Sequence, residues 1–484
     1  MKNGWRAVPA ELNSLTRDGR AMWRVALTAV AKSVGLDRSS GWRGGVQLFI
    51  ATVAFVLAGC AATYPMMPPP ALYTGAQARP LFTDLPADDQ KPPLDLLYIT
   101  DRAPSTGTDP EEPYTSERAR SIAFGSTTVE FGAAVPWDVL VKESTTMRRG
   151  GLELTLGPTR ELGRFPPIPY EIAVVPGGIA RKQSIIDAHE QAKRTLQSEI
   201  ERRLVDARRK EVVLFIHGYN NTFEDAAVTM GELCHYMGRD FVCGIFTWPA
   251  GGRRGILFGY NVDRESGEYA VEDLRKTIRI VAQTPGVEKI HFIAHSRGND
   301  VLATALAELA VEAYGLGRSL AQQFHIANVV LAAPDIDADV ALSKIFKVFS
   351  DPDLPFRGAP DPGVVLEPQS RFNVTIYVSP DDKALATSSW LSGSFARLGR
   401  IDAKMLTSHE IDEIRMLGAV DVVQVRGKTD FFGHDYFVSN PEVSSDIIAV
   451  LRYGLKPNEP GRPLQPIDGP FWAILPADSS AATN

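Results

Sequence analysis

Six short, almost unbroken apolar runs punctuate this chain: Val212–Ile216, Val242–Trp248, Lys289–Ala294, Val329–Ala333, Val374–Val378 and Val420–Val425. Runs of this length and purity mark strands buried on both faces, as in parallel sheets. Helical patterns separate several of them, at Glu224–Met237, Ala270–Gln283, Gly298–Tyr314 and Val443–Tyr453. Strand–helix alternation specifies an α/β protein with a doubly wound, mostly parallel sheet flanked by helices. Upstream, Leu94–Thr100 and Ile122–Val135 read as opening strands and residues 145–182 as a Gly- and Pro-rich loop. Ser184–Arg209 reads as a helix, with Ala188, Ala192, Leu196, Ile200 and Leu204 at four-residue spacing. Residues 94–455 are expected to form one domain, with 338–372 a candidate lid or a surface insertion. Residues 456–484, polar and Pro-rich, read as a flexible tail.

The densest chemical signal is Phe292-Ile293-Ala294-His295-Ser296-Arg297-Gly298-Asn299. It is a strand, a sharp turn with serine at its apex, then a helix. Such a turn brings strand and helix close, so it demands small residues two before and two after the serine, here Ala294 and Gly298. Upstream, Leu214-Phe215-Ile216-His217-Gly218-Tyr219-Asn220 is a buried strand ending in His-Gly. A main-chain N–H just after such a strand, with the one following the nucleophile, can hold an oxyanion. Tyr219 (or Asn220) and Arg297 are the candidate donors.

A serine nucleophile needs a base, and the chain order Ser…Asp…His confines it to a histidine late in the sequence. Of eight histidines, His409 precedes the last of the six strands and lies at the wrong end of the sheet, whereas His434 follows it. A carboxylate must orient that imidazole and stabilise its charged form. Asp381 and Asp382 follow the strand Val374–Val378, and Asp335 and Asp337 follow the preceding one; Asp382 is favoured.

Taken together, these segments resemble a bacterial α/β-hydrolase group, the uncharacterised esterase/lipase-superfamily proteins. The likeness runs from about Leu94 to Tyr453. It is carried by Tyr98-Ile99-Thr100-Asp101-Arg102, His217-Gly218-Tyr219-Asn220, Trp248-Pro249, Asp263-Arg264-Glu265-Ser266, the Ser296 segment, Ala333-Pro334-Asp335-Ile336-Asp337-Ala338-Asp339 and Gly433-His434. The resemblance implies an α/β-hydrolase fold and a carboxylesterase- or lipase-like serine hydrolase that works through an acyl-enzyme on a small ester or acyl substrate. In the family pattern Ser-x-x-Asp-x-Ala-Leu, Ser379–Leu385 matches the acid to Asp382. Relatives often carry Met after the nucleophile; Arg297 is either a cation that favours acidic substrates or a side chain turned to solvent. The competing expectations are a non-catalytic scaffold on the same fold and an acyltransferase using the same residues.

The N-terminus reads as an address. Arg38 and Arg43 precede the apolar run Val46–Ala58, which is short for a membrane-spanning helix and ends in Leu57-Ala58-Gly59-Cys60. This ending resembles the lipobox of bacterial lipoproteins, which implies acylation of Cys60, cleavage before it and anchoring in a lipid membrane. Residues 1–59 are then a targeting segment and 60–93 a Pro-rich tether. Ala61 resembles the residue found in lipoproteins sorted to an outer membrane, so the expected location is the cell envelope, on the periplasmic side. Cys234 and Cys243 are the other two cysteines, either bridged or two buried thiols.

Charge is split. Residues 1–44 carry a net +5 and the remainder −12, an acidic body that argues against nucleic acid as a partner. The sequence contains no metal-ligand spacing, Walker loop or Gly-rich dinucleotide fingerprint, so no metal or cofactor is expected. Oligomeric state leaves no signature.

Overall fold

In the computed structural model of this chain, the described residues are 63–474, apart from 76–77, 84, 108–111, 133, 148–150, 253–255, 349, 355–370, 393–395, 427–432 and 463. The targeting segment and Cys60 lie outside them. The strands are β1 (Tyr64–Pro65), β2 (Leu94–Pro104), β3 (Tyr114–Phe131), β4 (Glu153–Arg164), β5 (Ile172–Val175), β6 (Gly178–Arg181) and β7 (Glu211–Ile216). They continue with β8 (Val242–Thr247), β9 (Lys289–His295), β10 (Ile326–Ala332), β11 (Asn373–Val378), β12 (Val420–Val425), β13 (Gln465–Asp468) and β14 (Phe471–Ile474). Twelve of them form one sheet in the order β1-β4-β3-β2-β8-β7-β9-β10-β11-β12-β14-β13, and β5–β6 stand apart as a hairpin. From β2 to β14 every neighbouring pair is parallel, and antiparallel strands close both edges.

Strand order explains where a ligand crevice must open. The chain leaves β7 through the helix Phe223–Tyr236 to β8 on one side. It then returns through Ile256–Ala282 to β9 on the other side of β7. Between β7 and β9 the crossovers diverge, and in open α/β sheets the crevice lies at the carboxyl ends of the strands at that switch point. His217-Gly218 follows β7 and Ser296 follows β9, so both sequence signals arrive there.

Both faces of the sheet are covered. On one, Leu196, Leu274 and Leu302 from the helices Gln183–Asp206, Ile256–Ala282 and Gly298–Gly315 join Leu214 and Phe292 in a core. On the other, Leu140, Leu233 and Ile447 from Trp137–Thr145, Phe223–Tyr236 and Pro441–Leu451 pack with Phe215 and Ile293. Successive strand residues point to opposite faces, and burial on both is why these runs lack polar alternation. Cys234 on the helix and Cys243 on β8 form a disulfide.

Three sequence expectations need correction. Residues 145–182 are not a loop: they hold β4, which pairs antiparallel with β3, and the β5–β6 hairpin. The stretch read as a tether is packed from Tyr64 onward. Met66, Met67, Tyr73 and Leu81 are buried, and the Tyr73 hydroxyl donates to the Tyr236 carbonyl at 2.7 Å. The tail read as flexible supplies β13 and β14; Val422 pairs with Phe471, and the Trp472 indole donates to Asp421 at 3.0 Å. The candidate lid begins as a helix, Ala338–Ile345, and 355–370 lie outside the described residues.

Candidate active site

The turn after β9 is built around a backbone that side chains resist. Ser296 has φ +51°, a left-handed conformation for a non-glycine residue. It is over-determined from all sides. Its N–H donates to the Ala332 carbonyl at 3.0 Å, and its carbonyl accepts from Asp335 N at 3.1 Å. The Asn299 amide donates to the Ser296 carbonyl at 2.9 Å and to the Ala332 carbonyl at 3.0 Å. A Cβ on Gly298 would lie 2.3 Å from the His217 carbonyl oxygen, and one on Gly218 would lie 2.7 Å from the Ser296 Cβ. Only glycine allows the two strand ends to meet around the serine.

Opposite stands His434, beyond β12 and just before the helix Tyr436–Ser439. Its Nδ1 bonds Asp382 Oδ2 at 2.7 Å. Its ring lies against His295, the neighbour of Ser296, with centroids 4.8 Å apart. Asp382 is completely buried, and its other oxygen, Oδ1, accepts from Leu385 N at 2.8 Å. The Ser-x-x-Asp-x-Ala-Leu pattern therefore has a physical reading: one oxygen caps the start of the following helix, fixing the other on the imidazole.

Electrostatics follow from this pairing. Burial works against a charged His434, but the hydrogen bond and charge of Asp382, aided by Asp435 and Asp335, outweigh it and raise its pKa above the ordinary value. His295, fully buried and beside His434, is pushed well below the usual imidazole range by burial and then by His434. It stays neutral and does not compete for the proton.

The other candidate acids are placed elsewhere. Asp381 is exposed at the end of β11. Asp335 is buried in a separate network: it accepts from Ser388 Oγ at 2.6 Å and Tyr260 OH at 3.2 Å and pairs with Arg397 at 3.3 Å. His409 sits exposed on the helix Ser408–Leu417.

After β7, the amides flanking Tyr219 are engaged. Gly218 N donates to Asn221 Oδ1 at 3.1 Å and Asn220 N to Asp263 Oδ2 at 2.9 Å. That removes Asn220 as an oxyanion donor. The same Asp263 oxygen accepts from Gly251 N at 3.3 Å, tying the loop after β8 to the loop after β7. Behind them His217 is buried and neutral, its pKa driven well down by burial and by Arg102. Its Nδ1 faces the Gly218 carbonyl at 2.9 Å and its Nε2 accepts from Trp248 N at 3.1 Å, while the two rings stack. Arg102 closes the network with bonds to the carbonyls of Asn221 at 2.7 Å and Ala250 at 2.8 Å.

Asp263, Arg102 and Asn299 stand in the sequence segments that carry the family resemblance, but nothing in their spacing gives them a role. Asn221, which follows the His-Gly segment, carried no signal. All four work by holding backbone.

Arg297 matches neither expectation for its side chain. It is buried, ion-paired with Asp300 at 2.9 Å and directed to the Asp335 carbonyl at 3.4 Å. A cavity of about 530 Å3 opens beside it, bounded by Tyr260, Val301, Ile336, Val340 and Arg397. Lys344 in its wall also pairs with Asp300, at 2.5 Å, so the cations here are compensated.

The sequence matches the model of a family described as "Alpha/beta hydrolase of unknown function (DUF900)" over residues 192–452, more than half of the chain. A search of the curated proteins finds no match. Among solved structures, the chain is similar to esterase B from Lactobacillus rhamnosis, inhibited by a tributyrin phosphonate, at 14% identity and TM-score 0.27, covering 57% of this chain and 95% of that one. A lipase-esterase related protein from Clostridium acetobutylicum ATCC 824 is similar at 12% identity and TM-score 0.24, covering 49% and 93%. Phospholipase PlaB from Legionella pneumophila is similar at 14% identity and TM-score 0.17, covering 47% of this chain and 42% of that one.

Proposed function

Since this chain belongs to the α/β-hydrolase family of unknown function matched over residues 192–452, we propose that it is a serine hydrolase of the carboxylesterase or lipase type. The observation that carries the reading is the 2.7 Å pair of His434 Nδ1 and buried Asp382 Oδ2, set against the turn that presents Ser296. With Nδ1–H held by the carboxylate, Nε2 is the atom that accepts a proton. His434 takes the Ser296 hydroxyl proton as Oγ attacks the substrate carbonyl, and the amides of Tyr219 and Arg297 hold the developing oxyanion. Collapse expels the alcohol, which takes the proton from His434 and leaves an acyl-Ser296. Water, deprotonated by the same imidazole, then releases the acid.

Short-chain aryl esters such as acetate or butyrate test this. Turnover is expected, and it is expected to persist in chelator because the nucleophile is a side-chain hydroxyl. Ser296→Ala and His434→Ala should each abolish nearly all of it, and the double variant should lose little more, since residues acting as a unit are not additive. Additive losses would contradict a shared mechanism.

The lipobox-like Leu57-Ala58-Gly59-Cys60 further supports a lipid-anchored enzyme of the cell envelope, facing the periplasm from an outer membrane. The Cys234–Cys243 disulfide is in keeping with that reading, since such bonds persist in oxidising compartments.

A further inference from the structure

The β5–β6 hairpin breaks the rule that exposed strands carry polar side chains. Between Glu171 and Arg181 its sequence is Ile-Ala-Val-Val-Pro-Gly-Gly-Ile-Ala, with no charge. The register pairs Val174 with Ile179 and Ile172 with Arg181, so these four share one face; Val175 lies opposite Gly178 on the other. Val174 is 90% exposed, Ile179 69% and Ile172 59%. Ile168 before the hairpin and Ile186 in the helix that follows it are exposed as well. Neither strand joins the large sheet, so both edges are open. Soluble proteins blunt such edges with charge, bulges or a covering element, and a two-stranded hairpin is marginal alone in water.

We infer that this hairpin is a membrane-contacting element that seats its aliphatic tip in the interface of an anionic phospholipid bilayer. Charge is arranged for that occupant. Glu171, the acid at the stem, is neutralised by Lys182 at 2.5 Å, while Arg181 is exposed on the same face as Ile172, Val174 and Ile179. Aliphatic side chains ending at a cation match the layering of acyl chains beneath anionic headgroups. The patch is too small for a protein partner. Its few side chains offer on the order of a few hundred Å2, below the ~800 Å2 per partner of a specific protein interface, whereas a bilayer requires no complementary shape. Its place in the fold is also apt. Ile168 N donates to the Arg120 carbonyl at 2.6 Å, and Arg120 lies across from residues 100–102, so the stem leaves near the carboxyl end of β2. That is the end of the sheet at which Ser296 follows β9 and the His434 ring lies against His295.

The test is a local optical readout on the full chain, independent of ester turnover. Pro176→Cys at the tip is labelled with an environment-sensitive nitrobenzoxadiazole dye, and the protein is reconstituted in phosphatidylethanolamine–phosphatidylglycerol vesicles. Val205→Cys, an exposed position at the far end of the helix Gln183–Asp206, is the control, and unsubstituted protein taken through labelling gives the background. The tip label should shift to the blue and be quenched by brominated lipid, while the control label should do neither. Ile172→Asp with Val174→Asp and Ile179→Asp should abolish the shift without altering the circular dichroism. In phosphatidylcholine alone the shift should fall at least twofold. A tip label as wet as the control would overturn the inference. So would a blue shift that appears without lipid and grows with protein concentration, which would instead indicate a second copy of the chain on the hairpin.

Discussion

Asp382 and Asp335 are both buried aspartates at the ends of neighbouring strands, and their partners separate their roles. Asp382 meets His434, whereas Asp335 meets Arg397, Tyr260 and Ser388. Asp382→Asn should lower kcat by about 10^3–10^4-fold with the fold intact, because the amide no longer enforces the imidazole tautomer. Asp335→Asn should act on stability, since leaving Arg397 buried without its carboxylate costs about 3–5 kcal/mol. Activity and urea midpoint of both variants check this, and a reversed ranking would move the acid to the end of β10. The sign of the pH dependence follows from the same pair. Only neutral His434 can accept the serine proton, and its pKa is raised, so kcat/KM should rise with pH through a midpoint above ~6.5. Residual activity of Asp382→Asn should rise through a lower midpoint, because the charge that stabilises the imidazolium is gone. At this scale the sequence pointed by type and order, to Ser296 through its small neighbours and to His434 through its place after the last of the six apolar strands. It did not reveal that Arg297 is consumed by Asp300, because an ion pair between residues three apart on a helix looks the same on paper as a cation facing a substrate.

Elements were legible where burial is two-sided and obscure where it is one-sided. The parallel strands announced themselves as apolar runs. By contrast, β4 is an outer strand with Gly157 and Pro158 within it, and its burial alternates only weakly, so Glu153–Arg164 reads as loop. β14 is a short run after a Gly-Pro turn, and its contribution to the sheet depends on the distant β12. The turn after β9, however, is a case in which element packing can be tested by one methyl group. Gly298→Ala would drive a Cβ to 2.3 Å from the carbonyl oxygen of His217, an atom held by the Trp248 indole. Backbone cannot turn aside as a flexible side chain can. Gly298→Ala should therefore destabilise by about 1–3 kcal/mol and cost activity beyond its effect on folding, because the β7 end that leads to the proposed oxyanion amide of Tyr219 must move with it. Unchanged stability and turnover would mean that strand and helix are not in the contact described.

Across the whole molecule, the disulfide between Cys234 and Cys243 and the N-terminal Leu57–Cys60 support one proposal, an exported enzyme held at a membrane. Expressed from its full sequence in a Gram-negative host, the protein should partition with membranes, and Cys60→Ser should leave an uncleaved precursor. A mature mass unchanged by that substitution would rule out lipidation. Membrane tether and domain were read as separate parts because Pro-rich composition suggests a spacer. The structure shows why composition misleads: Met66, Met67, Tyr73 and Leu81 are spaced among the prolines and bury against the helix Phe223–Tyr236 and its neighbours. The central claim, that Ser296 is a nucleophile activated by His434, is tested most directly by treating the folded protein with a fluorophosphonate and sequencing the modified peptide by mass spectrometry. One adduct is predicted, on Ser296, lost in Ser296→Ala and slowed by orders of magnitude in His434→Ala. A folded wild-type protein that takes no label, or takes it on another serine, would contradict the account.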